Sequence, residues 1–498
     1  MGGGSERATP TRIRGRLSAV GPSDTSSSDF EDRVVERLGR RVWPILISVV
    51  YVGLGLAYCF RWGPLVRHQP SLWLSPGDSW AAYAAAGAAA HGHFDAVYTS
   101  GFLGFPGILV LLAPLGALAN SFSTSFIQIV NPAHPAGALQ NLVSHGTPYF
   151  NSDVVQSGAK LYVVHRQAFV VLLPLILILS CTALFAFDAL AERLGVPKSR
   201  RAILCVTEAV LLWNVTVFPG HPEDALAVAL LSYALIFALD GRFTGAGWLF
   251  GVAMALQPLV IVVFPLLLVL GGRSRALGLV VRGVIPAAAV VVAPLVSDVH
   301  ATVHALVTQP TFPNVVRNHK TPWTFLAPHL DGRGSGATVA GGPQRIVALL
   351  LAAGVGWWAL RWRQRPEMIV WAAAVALALR VYFESVMPGY YVWPALAVGL
   401  VVAARGSTTR FAMAIAVAVA TTVVSRWQLG EFPWWAVQVG GVTALLVVAA
   451  KPEATEPLSE EKPVRASTAQ TRQPGASKSK DKRKKKAART DRKRSARR

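Results

Sequence analysis

The stretch "HPEDALAVALLSYALIFALDGRFTGAGWLFGVAMALQPLVIVVFPLLLVLGGRSR", His221 to Arg275, decides the fold. Glu223 and Asp224 follow Pro222 at its start, where negative charge complements a helix dipole, and an apolar run continues to Leu239. "DGR" punctuates it. A second apolar run, 244 to 271, is interrupted at Gln257-Pro258 and ends in the basic cluster "GGRSR". Runs of roughly 17 to 25 apolar residues cross a bilayer. The interruption predicts a hairpin of two short helices, which membranes tolerate where the break lines a cavity.

Working outward, similar apolar segments recur near 42–61, 102–119, 167–187, 202–218, 222–240, 277–297, 344–362, 367–384, 388–404, 409–425 and 433–450. Composition agrees: 53% of residues are hydrophobic and 15% charged, where soluble domains carry about 25% charged residues, and the mean hydropathy is +0.43. The fold class is all-α, a polytopic transmembrane helical bundle of about 11 to 13 spans. Three cysteines, Cys59, Cys181 and Cys205, fall in expected spans without ligand spacing, so neither a disulfide framework nor a zinc site is expected.

The net charge of +22 sits largely at one end. From Lys478 to Arg498 thirteen Lys or Arg face Asp481 and Asp491, half of the excess. The chain therefore divides into a basic segment 1–41, a transmembrane domain 42–450 and a polybasic tail 451–498. Both termini lack an apolar period and read as disordered and cytoplasmic. The tail suits anionic lipids, each basic residue near the surface adding about 1 kcal/mol, and no nucleic-acid partner is expected. "RLGRR" against Val42 makes the first helix a retained span rather than a cleaved signal.

Orientation follows from bases. With 1–41 inside, the first loop, 62–101, is outside. The clusters "GGRSR", "RWRQRPE" and "ARGSTTR" alternate with base-poor loops, placing 298–343, 385–388 and 426–432 outside. "ERLGVPKSRR", Glu192 to Arg201, belongs inside by charge but outside by simple counting. A re-entrant 102–119 together with the hairpin broken at Gln257 reconciles the two.

Several residues could carry chemistry. Asp78, in "SPGDSW", is either the cap of a helix beginning near Ser79 or a carboxylate poised outside the first span. His221, Glu223 and Asp224 either form a helix start or line a cavity. In the loop 298–343, Arg317, His319 and Lys320 are candidate phosphate partners, followed by Trp323 and Phe325; the other reading is an interfacial segment meeting anionic lipid. Arg380 and Glu384, four apart, read as a structural pair. His91, His93 and Asp95 lack helical metal spacing and read as solvated loop residues, so no metal site is assigned.

Four stretches resemble the polyprenol-phosphate-sugar-dependent glycosyltransferases of family 87 in the GT-C fold class, of the actinobacterial and mycobacterial alpha-mannosyltransferase type. They are "DSWAAYAAAGAAAHGHFDAVYTSGFLGFPGILVLLAPLGAL" from Asp78, "FPGHPEDALAVALLSYALIFALDGR", "GAGWLFGVAMALQPLVIVVFPLLLVLGGRSR" and "PGYYVWPALAVGLVV". Together they cover roughly residues 42 to 405 in the family's order. The resemblance implies an enzyme at the plasma membrane that moves a sugar, commonly mannose, from a polyprenyl phosphate donor to a glycolipid or polysaccharide acceptor. The active site would be extracytoplasmic and the mechanism inverting. Asp78 takes the position of the family's loop acid, with His221, Glu223, Asp224, Gln257, Arg317, His319, Lys320, Tyr390 and Tyr391 as candidates for binding donor phosphate or substrate. No cofactor is implied; a divalent cation is left open. His221 replaces the family's Gln, Gln257 its Lys, and the late His of "W.H.Y" is missing near Gly389. Those departures keep a second reading open, a GT-C-like scaffold of envelope assembly without catalysis or a transporter of lipid-linked sugar.

Overall fold

The computed structural model describes residues 39–58, 77–90, 92–99, 102–121, 127–130, 154–157, 160–164, 167–217, 219–311, 318–330, 337–427 and 429–450. It is mostly helical, 81%. Among the described residues six helices are long and apolar enough to cross a membrane: Leu173–Arg193, Pro222–Leu239, Arg273–Ser297, Pro343–Trp362, Pro366–Phe383 and Glu431–Ala449. The tail 451–498 lies outside the described residues.

In chain order the helices are α1 (Val42–Ala57), α2 (Gly77–Ala90), α3 (Ala96–Thr99), α4 (Gly107–Ser121), α5 (Gln167–Ser180), α6 (Thr182–Arg193), α7 (Lys198–Thr216), α8 (Pro222–Leu239) and α9 (Phe243–Leu256). They continue as α10 (Phe264–Gly271), α11 (Arg273–Ser297), α12 (Val299–Thr308), α13 (Pro343–Ala359), α14 (Pro366–Phe383), α15 (Trp393–Ala403), α16 (Thr408–Val424) and α17 (Glu431–Ala449). The expected runs largely coincide with these. α7, however, begins at Lys198, four residues before the apolar run, because Arg201 is buried by a partner described below. The apolar run from 167 is divided at Cys181, where Ser180 and Thr182 hydroxyls return hydrogen bonds to the carbonyls of Ile176 and Leu179, an arrangement that bends helices.

The helices fit the expected all-α bundle, and short strands join them only in the connections. Strands β1 (Ile127–Val130), β2 (Val154–Ser157) and β3 (Lys160–Val164) form an antiparallel sheet in the order β1-β3-β2. Strands β4 (Pro310–Thr311) and β6 (Thr338–Val339) pair, as do β5 (Asn318–Lys320) and β7 (Val386–Pro388). Short ladders satisfy backbone groups that no helix covers. Such brief pairings leave little trace in the hydrophobic pattern.

α15 is buried at every position, whereas α11 and α13 show their neighbours only a narrow face and expose Leu277, Val296 and Leu350. Apolar exposure on this scale suits hydrocarbon rather than water. Close packing is visible where α9 meets α11: a Cβ on Gly251 would lie 2.4 Å from the Arg282 carbonyl oxygen. Small residues permit that approach between helix backbones in a membrane.

Ion pairs define one end of the bundle. Asp188, 1% exposed, accepts from Arg201 Nε at 2.7 Å and Nη2 at 2.7 Å, and from Arg41. Arg193 pairs with Asp240, Arg405 with Glu367, and Arg200 reaches the carbonyls of Ala404 and Gly406. Arg363 bonds the Leu270 carbonyl. This basic end thus gathers Arg41, the 192–201 turn, the start of α9, the end of α10, the α13–α14 turn and the α15–α16 turn. Because Arg41 and Arg201 share it, the end of α1 and the start of α5 both lie toward the opposite end. α9 leaves the basic end, Gln257 breaks the helix in extended conformation, and the 3-10 turn Pro258–Val263 with α10 returns. That is the hairpin expected from the sequence.

Asp188→Ala strands two arginines at the buried basic end. It is expected to destabilise the detergent-solubilised protein by about 3–5 kcal/mol, read as a lowered thermal unfolding midpoint. Asp240→Ala, whose pair is more than a third exposed, is expected to change it little.

Candidate functional site

At the end opposite the bases, three breaks in helical structure converge: the turn before α8, the Gln257 break and the segment 384–392 between α14 and α15. Gly220, at φ +77, turns the chain into His221, and Pro222 occupies the first turn of α8. The His221 Nδ1 lies 2.6 Å from Glu223 Oε1, and its ring stacks on Tyr390 with centroids 4.3 Å apart. Asp224, 3% exposed, accepts from Gln257 Nε2. Gly107, at the start of α4, sits against Ala255, where a Cβ would be 2.1 Å from the backbone oxygen. This contact brings the loop that follows α3 to the Gln257 break.

Behind these residues lies a charged interior. Glu384 Oε1 accepts from Arg345 Nε at 3.0 Å and Nη2 at 2.7 Å, and Arg345 Nη1 donates to Gln309 Oε1 at 2.6 Å. Gln309 holds φ +35 and donates to the Leu103 carbonyl. Its backbone conformation is one that side chains seldom adopt and that surrounding contacts must impose.

Arg380, 9% exposed, places its Cζ 3.3 Å from the Tyr391 ring centroid. Its Nε is 3.9 Å from Glu384 Oε2, beyond hydrogen-bond reach, and is sealed without a partner. Asp224, Glu384, Tyr390 and Tyr391 are its electrostatic neighbours. Among the described residues its guanidinium makes no hydrogen bond. The site therefore offers a rigidly stacked cation with unspent donors, the geometry that recognises carboxylate or phosphate.

The expected pairing of Arg380 with Glu384 is present as an ion pair at 3.9 Å, but without a hydrogen bond. Glu384 is no longer helical, with ψ 140, and its carboxylate accepts its hydrogen bonds from Arg345 as well as facing Arg380. Arg345 and Gln309 were missed from the sequence. An arginine at the base-poor end of a span, against the prevailing charge bias, was the available signal.

His319 and Lys320 lie apart from this cluster. β5 pairs with β7 in the register His319↔Met387, so the loop is tied to the Tyr390 turn through backbone. His319 stacks on Trp434 with centroids 3.8 Å apart, and Lys320 Nζ is 3.1 Å from Glu431. Thr321 and Trp323 donate to the Glu384 and Tyr382 carbonyls, latching the loop to the end of α14. Arg317 lies outside the described residues. Asp78 falls in the first turn of α2 (Gly77–Ala90), and its side chain is outside the described residues. His93 and Asp95 are half-buried rather than solvated, and His91 is outside the described residues. No group of three metal-ligating side chains converges among the described residues. No family model, curated protein or solved structure matches the chain.

Burial holds the His319 imidazole below its ordinary pKa of 6.5, opposed in part by Glu431. The unfolded chain then takes the proton first, so stability is complete above about 6.5 and falls as pH drops toward the lowered folded value. Thermal unfolding across that range is expected to show this loss in wild type, and a smaller one in His319→Phe, which keeps the stack on Trp434.

Proposed function

We propose that this chain is a multi-pass plasma-membrane glycosyltransferase that moves a sugar, mannose first among the candidates, from a polyprenyl phosphate to a glycolipid or polysaccharide acceptor. The observation that carries the reading is Arg380, a buried guanidinium with unspent donors beside Tyr391. A lipid-linked phosphate is an anion delivered from within the bilayer, and its departure from the sugar needs donors already in place. The proposed topology has twelve crossings, with α9 and α10 as two short limbs, and both termini cytoplasmic. The basic end faces the cytoplasm by the positive-inside rule, and the Arg380 cluster then opens to the extracytoplasmic side.

In this scheme the acceptor hydroxyl oxygen attacks the anomeric carbon, the bond from that carbon to the phosphate oxygen breaks, and polyprenyl phosphate leaves. Asp78 takes the hydroxyl proton. The configuration inverts, without a covalent sugar–enzyme intermediate. Gln257 in place of the family's lysine gives Asp224 a neutral partner, which leaves Arg380, an electrostatic neighbour of Asp224, as the cation proposed to meet the donor phosphate. His221, with its ring stacked on Tyr390 and held by Glu223, forms an aromatic wall suited to a sugar face.

Vesicles containing wild type or Asp78→Asn are supplied with radiolabelled polyprenyl-phosphate mannose and label is followed into lipid products. Wild type is expected to transfer, and the variant to fall by about 10²–10⁴. Equal transfer would return Asp78 to a purely structural helix start. No transfer by wild type with any polyprenyl-phosphate sugar would favour the non-catalytic scaffold.

A further inference from the structure

At the basic end, away from the proposed transferase site, α14, α16 and α17 leave a groove of about 450 Å³ lined by Trp371, Val375, Arg410, Thr443, Leu446, Val447 and Ala450. Its polarity is graded. Arg410 lies in the first turn of α16 and Ala450 just past the end of α17, so both sit at the mouth. Val375 is deeper, past the second turn of α14, and the wall is apolar along that path apart from Thr443, whose hydroxyl is spent on the Val439 carbonyl and the Tyr382 hydroxyl. The Trp371 indole N–H is spent on the Leu446 carbonyl, so this ring offers the groove its apolar surface.

Arg410 is the anomaly. Neighbouring bases are engaged, Arg405 by Glu367 and Arg200 by the Ala404 and Gly406 carbonyls. Arg410 has no such partner: its Nη1 is sealed from solvent without an acceptor, and among the described residues no carboxylate or carbonyl meets its guanidinium. An unpartnered cation above an apolar groove complements one kind of molecule, an anionic head on a hydrocarbon chain. The tail's excess of lysine and arginine lies in 478–498, while 451–465 holds Glu453, Glu456, Glu460 and Glu461 against Lys451, Lys462 and Arg465; a tail carboxylate seated on Arg410 in place of lipid would show as equal labelling by the two lipids.

We infer that this groove is a binding site for an anionic phospholipid of the leaflet at the basic end, with the headgroup phosphate on Arg410 and an acyl chain along Trp371, Val375 and Val447. The site requires the chain to lie in a bilayer and does not require it to be a transferase, so sugar-transfer assays and this test fail independently.

The test uses the full-length protein in vesicles doped with phosphatidylglycerol or phosphatidylcholine carrying a photoreactive acyl chain, with adducts mapped by mass spectrometry. Wild type is expected to give adducts on 366–383 and 431–450 with phosphatidylglycerol in excess over phosphatidylcholine. Arg410→Gln is expected to lower that labelling roughly fivefold, from the contribution of one basic residue near the surface. Val447→Trp keeps Arg410 and fills the groove from an exposed position, and is expected to lower the same adducts while labelling elsewhere persists. Equal labelling by the two lipids, or unchanged labelling in Arg410→Gln, would overturn the proposal. Loss of labelling in excess inorganic phosphate would make the site a free-anion site rather than a lipid site, and would overturn it equally.

Discussion

A charge inside a helical bundle must be met by protein, since hydrocarbon offers it nothing, and this chain meets the requirement differently at its two ends. At the basic end Asp188 is overcommitted: two arginines from separate parts of the chain converge on one buried carboxylate. That convergence pins the start of α1 to the 192–201 turn. At the other end the bonding is incomplete. Glu384 is taken by Arg345, and Arg380 is left stacked on Tyr391 without a hydrogen bond. The first arrangement builds the scaffold, and the second holds Arg380 by stacking and an ion pair at 3.9 Å with no hydrogen bond.

The breaks in helical structure are what make that second arrangement reachable. A continuous helix through 243–271 would satisfy its own backbone and carry Gln257 past the site. Broken at Gln257, it returns to the basic end and presents that side chain to Asp224. Likewise the 384–392 segment leaves α14 in extended form, pairs with β5, and sets Tyr390 and Tyr391 between His221 and Arg380. Each break removes helical hydrogen bonds, and each is compensated by a neighbour: Gln257 by Asp224, the β7 backbone by Asn318–Lys320, and the Gly389 carbonyl by Asn214.

Most helices were legible in the sequence, because apolar length is the dominant signal of a bilayer-spanning segment and Gly, Pro and basic clusters mark the turns. The Gln257 break was legible for the same reason. Partnerships across the chain were not. Nothing local connects Arg41 with Asp188, or Gln309 with Arg345, and the i,i+4 rule found the Arg380–Glu384 ion pair but not the Arg345 that takes the hydrogen bonds of Glu384. The candidates near Pro222, Gln257 and Tyr390 do assemble, since each stands at a visible interruption. His319 and Lys320 turn instead to Trp434 and Glu431, partners that spacing could not reveal.

The central claim is that Arg380 receives a lipid-linked phosphate, and equilibrium binding measures it most directly. Purified wild type and Arg380→Gln are titrated with polyprenyl phosphate and with the corresponding polyprenol, which shares the chain and lacks the anion. The account requires wild type to bind the phosphate well over tenfold more tightly than the alcohol, from the energy of charge-assisted hydrogen bonds, and Arg380→Gln to lose that preference. Equal affinity of wild type for both lipids, or an undiminished preference in a folded Arg380→Gln, would contradict it.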